Sequence, residues 1–69
     1  MQSLKLKFGL NVKALRTQQG LSQESLADLC DCSIETISHI ERGIHGPRFD
    51  LLEKLASALE CPVRDLFDF

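Results

Sequence analysis

Residues 34, 35, 38 and 39 bring an isoleucine, a carboxylate, a hydroxyl and an imidazole onto one face at helical spacing. Glu35 accepts hydrogen bonds and His39, one turn later, can donate them. The set suits recognition of polar and apolar edges. It does not suit bond-breaking, because no nucleophile, base and orienting group fall together and no glycine-rich loop cradles a phosphate. An enzyme is therefore not expected. Cys30 and Cys32 are one residue apart, not the two of zinc knuckles, and both fall at apolar positions. They read as small buried hydrophobes, so no metal, cofactor or small-molecule ligand is expected.

The elements that position these residues are all helical. Phe8, Val12 and Leu15 predict a first helix over about 4–18, stopped by Gly20. Gly9 inside it costs about 1 kcal/mol against alanine, which a close helix contact would explain. Ser22 caps a second helix, 22–30, with Leu26, Leu29 and Cys30 as its apolar stripe and Ala27 beside it. Ser33 caps a third helix, 33–42, with Cys32, Ile37 and Ile40 facing the core and Gly43 ending it. Pro47 makes 44–48 a loop. Leu51, Leu52, Leu55, Ala56 and Leu59 mark a fourth helix, 49–59, and Pro62 opens a fifth, 62–67. No alternating apolar run suggests a strand. The expected fold is one all-α domain over 1–69, a compact five-helix bundle.

The 69 residues approach the lower limit for a single core. With no Trp or Tyr and four Phe, aliphatic side chains must fill it. Three cysteines without framework spacing predict a reducing compartment, and MQSLKLKFGLNVK holds no apolar run of signal-peptide length. The expectation is a cytoplasmic, nucleoid-associated protein, bacterial or phage-encoded, with no membrane partner. The net charge of −2 argues against nonspecific binding of nucleic acid. The charges are segregated, however. Lys5, Lys7, Lys13 and Arg16 precede residue 20 without an acid, whereas Glu24, Asp28, Asp31, Glu35 and Glu41 follow without a base. Such a chain can still present one basic face.

Arg16, then QGLSQESLADLCDCSIETISHIERG, then Pro47 and LLEKLASALECPVRDLF, resemble in order and spacing the phage-repressor-like (Cro/C1-type, XRE-like) helix-turn-helix family. The likeness covers about residues 8–67. It implies a lambda-repressor-like DNA-binding domain in which the second helix crosses the backbone and the third enters the major groove of double-stranded DNA. Two positions depart from the pattern: Asp31 and Glu60 stand where glycine is usual. Both carry a cost in the left-handed conformation.

The resemblance makes Ile34, Glu35, Ser38 and His39 the base-reading candidates. Ile34 meets a thymine methyl or packs as a half-exposed core residue. Glu35 accepts from cytosine N4 or serves the helix dipole. His39 donates to guanine or pairs with Glu35. Gln23, Thr36, Arg42, His45, Arg48, Lys5 and Lys7 are the phosphate candidates. Arg16 and Glu41 form the family's ion pair between the first and third helices.

The expected function is a small transcription regulator, most simply a repressor acting as a homodimer on a palindromic operator. Ile44, Leu66, Phe67 and Phe69 are the surplus apolar groups for a dimer surface. A phage repressor, a restriction–modification controller and an antitoxin remain open settings. The alternative class is a protein-interaction module that kept the fold and lost DNA.

Overall fold

The computed structural model describes residues 3–69. Four α-helices follow in order, α1 (Leu4–Gln18), α2 (Gln23–Leu29), α3 (Ile34–Glu41) and α4 (Phe49–Ala58), then a 3-10 segment, Val63–Phe67. No strand occurs among the described residues. The 3-10 segment corrects the expected fifth α-helix. Five residues after Pro62 are too short for an i→i+4 ladder, and the chain closes i→i+3 bonds instead, Asp65 N–H to Pro62 O at 3.0 Å and Asp68 N–H to Asp65 O at 3.3 Å.

Serine hydroxyls start the first three helices. Ser3, Ser22 and Ser33 accept from the amides of Leu6, Ser25 and Thr36 at 3.0–3.2 Å. All four α-helices stop in the same way, with one left-handed residue followed by an amide reaching back five positions: Leu21 to Arg16, Cys32 to Ala27, Ile44 to His39 and Cys61 to Ala56. Two of the left-handed positions are Gly20 and Gly43. The other two are Asp31 and Glu60, at φ 55° and 56°. The two departures from the family pattern therefore adopt the glycine conformation with a Cβ, at a cost of roughly 1–2 kcal/mol each.

Phe8, Val12, Leu26, Ala27, Cys30, Ile37, Ile40, Leu55, Ala56, Leu59 and Leu66 form one core drawn from every element. Three assignments change. Leu29, read into the α2 stripe, is exposed, because α2 turns only Leu26, Ala27 and Cys30 inward. Cys32, read as core, is half-buried at its edge. Leu66, read as surplus, is fully buried: Asn11 Nδ2 donates to the carbonyls of Asp65 and Leu66 at 2.9 and 2.8 Å, docking the 3-10 segment on α1 with Leu66 inward.

Gly9 is the point of closest approach. A Cβ there would stand 2.1 Å from the carbonyl oxygen of Ile40 and 2.9 Å from that of Glu41. The missing side chain lets α1 pass against the C-terminal turn of α3, the close contact that offsets the helix penalty.

Two substitutions should move stability in opposite directions. Gly9→Ala gains about 1 kcal/mol of helix propensity but forces a backbone clash, with overpacking costs of about 1–3 kcal/mol or more. Its urea midpoint falls. Glu60→Gly relieves the left-handed strain and raises the midpoint by up to about 1 kcal/mol of stability. A Gly9→Ala protein as stable as the parent would contradict the packing described.

Candidate nucleic-acid interface

The outer face of α3 follows from its inner one. Ile37 and Ile40 are in the core, so Ile34, Glu35 and Arg42 stand exposed, with Thr36, Ser38 and His39 half-buried along the flanks. Ser33 holds the start of the helix, its hydroxyl also 2.9 Å from that of Thr36. The imidazole of His39 sits edge-on to that of His45, ring centres 5.2 Å apart. Among the described residues no ion pair joins His39 to Glu35. The His45 partner arrives because the amide of Ile44 bonds the His39 carbonyl at 2.9 Å, folding the loop back beside α3.

The flanks carry the cations. Arg48 is the N-cap of α4 without a side-chain cap; the Leu51 amide donates to Asp50 Oδ1 at 2.9 Å, which leaves the amides of Phe49 and Asp50 at the helix start beside an arginine. Lys5 packs next to Gly46 and Pro47, which brings the basic start of α1 to the same loop. Lys7 is exposed on α1.

Behind the outer face lies the one salt bridge among the described residues. Arg16 grips Glu41 through two bonds, Nε to Oε2 at 2.6 Å and Nη2 to Oε1 at 3.1 Å, and Nη1 donates to the Leu21 carbonyl at 2.7 Å. The two residues are 8% and 4% exposed, so both charges are largely out of water. Each guanidinium nitrogen donates one bond, and two of them grip the carboxylate in bidentate geometry. Gln23, a phosphate candidate, belongs to the same network: its Nε2 donates to Glu41 Oε1 at 3.0 Å. No local sequence signal shows that link. It follows only once the start of α2 is known to lie against the end of α3.

A cavity of about 470 Å³ opens between the α2–α3 turn, α3, the loop and α4, with Cys30, Cys32, Thr36, His39, His45 and Lys54 among its lining residues. Burial pushes the Cys30 thiol up to about 11, with the neighbouring Cys32 adding to it and Lys54 opposing. Burial raises Cys32 as well. Neutral thiols are poor nucleophiles and poor ligands. Among the described residues no group of three or more His, Cys, Asp or Glu is placed to hold a metal ion, and no helix is long and apolar enough to cross a membrane.

This arrangement, a capped helix held outward across a tight turn from a second one, defines a helix-turn-helix protein. The family described as "Helix-turn-helix" matches residues 12–66. Control protein C.BamHI of Bacillus amyloliquefaciens is 40% identical over 68 residues, covering 97% of this chain and 84% of that protein. The restriction-modification controller protein C.AhdI of Aeromonas hydrophila has a crystal structure that superposes with a TM-score of 0.87 at 40% identity, covering 90% of this chain and 94% of that one. A competence pilus inhibition repressor of Acinetobacter baylyi is 39% identical over 62 residues, although this chain spans only 56% of its length. The chain belongs to the helix-turn-helix family of DNA-binding transcription regulators.

Arg16→Met leaves Glu41 buried without its cation and should cost about 3–5 kcal/mol. Adding Glu41→Leu removes the stranded charge and should recover much of that loss. Thermal melting of the two variants checks this. A single variant within 1 kcal/mol of the parent would mean the pair is no more than a surface contact.

Proposed function

We propose that this protein is a sequence-specific regulator that lays α3 in the major groove of double-stranded DNA, as a homodimer on a palindromic operator, and that its setting is control of a restriction–modification system. The observation that carries the reading is the outer face of α3: Ile34, Glu35, Ser38 and His39 present mixed apolar, acceptor and donor chemistry on a short helix capped at both ends. A groove about 12 Å wide admits one such helix. Similarity to the restriction-modification controller protein C.AhdI, and to a second control protein, supports the setting. It acts where the operator is, in the cytoplasm and on the nucleoid.

In this reading Ile34 touches a thymine methyl, Glu35 accepts from cytosine N4, and Ser38 and His39 complete the base contacts. Gln23, Thr36, Arg42, His45, Arg48, Lys5 and Lys7 hold phosphates, together with the open amides at the start of α4. Affinity comes from the flanks and selectivity from α3. A carboxylate at Glu35 is repelled by the backbone unless it finds its donor, so it rejects wrong sequences. The dimer covers exposed apolar side chains. Ile44, Phe67 and Phe69 remain available, and Phe49, 85% exposed, joins them.

Selection from random duplexes should enrich a two-fold symmetric motif with half-sites about one helical turn apart. The logarithm of affinity should fall linearly with the logarithm of salt concentration. Glu35→Gln should relax preference at one base pair, while Arg48→Ala weakens all sequences alike and reduces the salt slope by about 1. Sedimentation with and without operator should show the dimer. No enrichment, or binding indifferent to salt, would favour a protein-interaction module instead.

A further inference from the structure

We propose that Glu41 is a positioning residue for DNA: it fixes the side-chain amide of Gln23 so that an N–H edge is ready for a phosphate at the start of α2. The inference rests on the DNA reading above and assigns Glu41 a second role beside its pairing with Arg16.

The geometry is a three-residue chain across three helices. Glu41 Oε1 accepts from Arg16 Nη2 at 3.1 Å and from Gln23 Nε2 at 3.0 Å, while Oε2 is taken by Arg16 Nε at 2.6 Å. The chemistry decides which end of the Gln23 amide faces inward. An ionised carboxylate can only accept, so it selects the amide nitrogen and excludes the amide oxygen. One Nε2 hydrogen is spent on Glu41. The second remains, in the plane of a group whose orientation is now set. A free glutamine samples both amide orientations and several rotamers, and one of the two orientations would turn an oxygen toward an anionic phosphate.

Glu41 is itself held from two sides. Arg16 clamps both its oxygens, and Gly9 lets α1 close on the carbonyls of Ile40 and Glu41. The fixed end of α3 therefore fixes the phosphate-facing group at the start of α2, and the two helices of the motif share one anchor. Immobilising such a side chain before binding saves ordering cost worth about twofold to tenfold in affinity. Because glutamine is uncharged, this contribution adds nothing to counterion release.

The test is a double-mutant cycle on the dissociation constant for the selected operator, with the parent, Gln23→Ala, Glu41→Gln and both together, each checked for folding by circular dichroism at the assay temperature. Gln23→Ala should weaken binding about threefold to tenfold with an unchanged salt slope. Glu41→Gln should weaken the parent by more than it weakens Gln23→Ala, the difference being the positioning contribution. Equal losses from Glu41→Gln in both backgrounds would reduce Glu41 to a structural role and overturn the proposal. A parent that binds with steep salt dependence while Gln23→Ala changes nothing would overturn it and leave the DNA reading intact. A parent that does not bind would remove the DNA reading and this inference with it. Should Glu41→Gln fail to fold, the side-chain amide of Gln23 in the parent gives an independent readout by NMR. Contacts from the Nε2 hydrogens to the end of α3, with one hydrogen shifted from its free position and protected from solvent exchange, support the proposal, and two hydrogens at free-amide positions that exchange readily and show no such contacts overturn it.

Discussion

The C-terminal turn of α3 is held against α1 by two contacts that need each other. One is steric, the bare Gly9 backbone against the carbonyls of Ile40 and Glu41; the other is ionic, the buried Arg16–Glu41 pair. A glutamate is electrostatically misplaced at the C-terminal end of a helix, where the macrodipole is negative. The guanidinium of Arg16 corrects this, since one cation faces both the carboxylate and the negative pole. Close approach at Gly9 brings Arg16, two turns further along the same helix, within reach. Every side-chain nitrogen and oxygen buried among the described residues has a partner, so the pair carries no orphaned neighbour to add to its desolvation cost.

That pair also explains how an acidic chain can serve a polyanion. Of the carboxylates around the turn, Glu41 is neutralised inside the fold, while Asp31 keeps an exposed carboxylate at a left-handed stop. Glu35 alone is set on the outer face of α3. Cations lie on either side of it, Arg42 after α3, Arg48 at the start of α4, and Lys5 brought next to the loop through Gly46. Net charge is therefore a poor guide to this surface, because it averages charges cancelled in the interior with charges presented outside.

The helices and their stops were legible because they are local. Serine caps, the glycine stops and the left-handed Asp31 and Glu60 each depend on a few neighbouring residues. What was not legible depends on how the helices cross. Gly9 was visible as an anomaly, but its reason lies in carbonyls some thirty residues away. The sequence offered Gln23 a phosphate or solvent, and Glu41 was not among the options. Leu66 was misread as surplus because helical spacing in a five-residue segment carries too little phase information, and its inward turn is set by Asn11. Leu29 failed for the opposite reason: the spacing is right, but α2 is only seven residues long and buries a narrower stripe than the pattern suggests.

The same division bears on how specificity can change. An eight-residue helix such as α3 does not stand alone in water, where isolated helices shorter than about 12–15 residues are marginal. Its order comes from its ends and its back: the Ser33 cap, the Gly43 stop, the Arg16 grip on Glu41, and Ile37 and Ile40 in the core. None of these supports uses Ile34, Glu35 or Ser38. These outer-face residues can be exchanged without touching what holds the helix in place, so a new outer face costs the fold little. Gln23 and Glu41 stand on the other side of that line. They belong to the supports, and the chemistry we propose for them, a phosphate, is the same in every sequence.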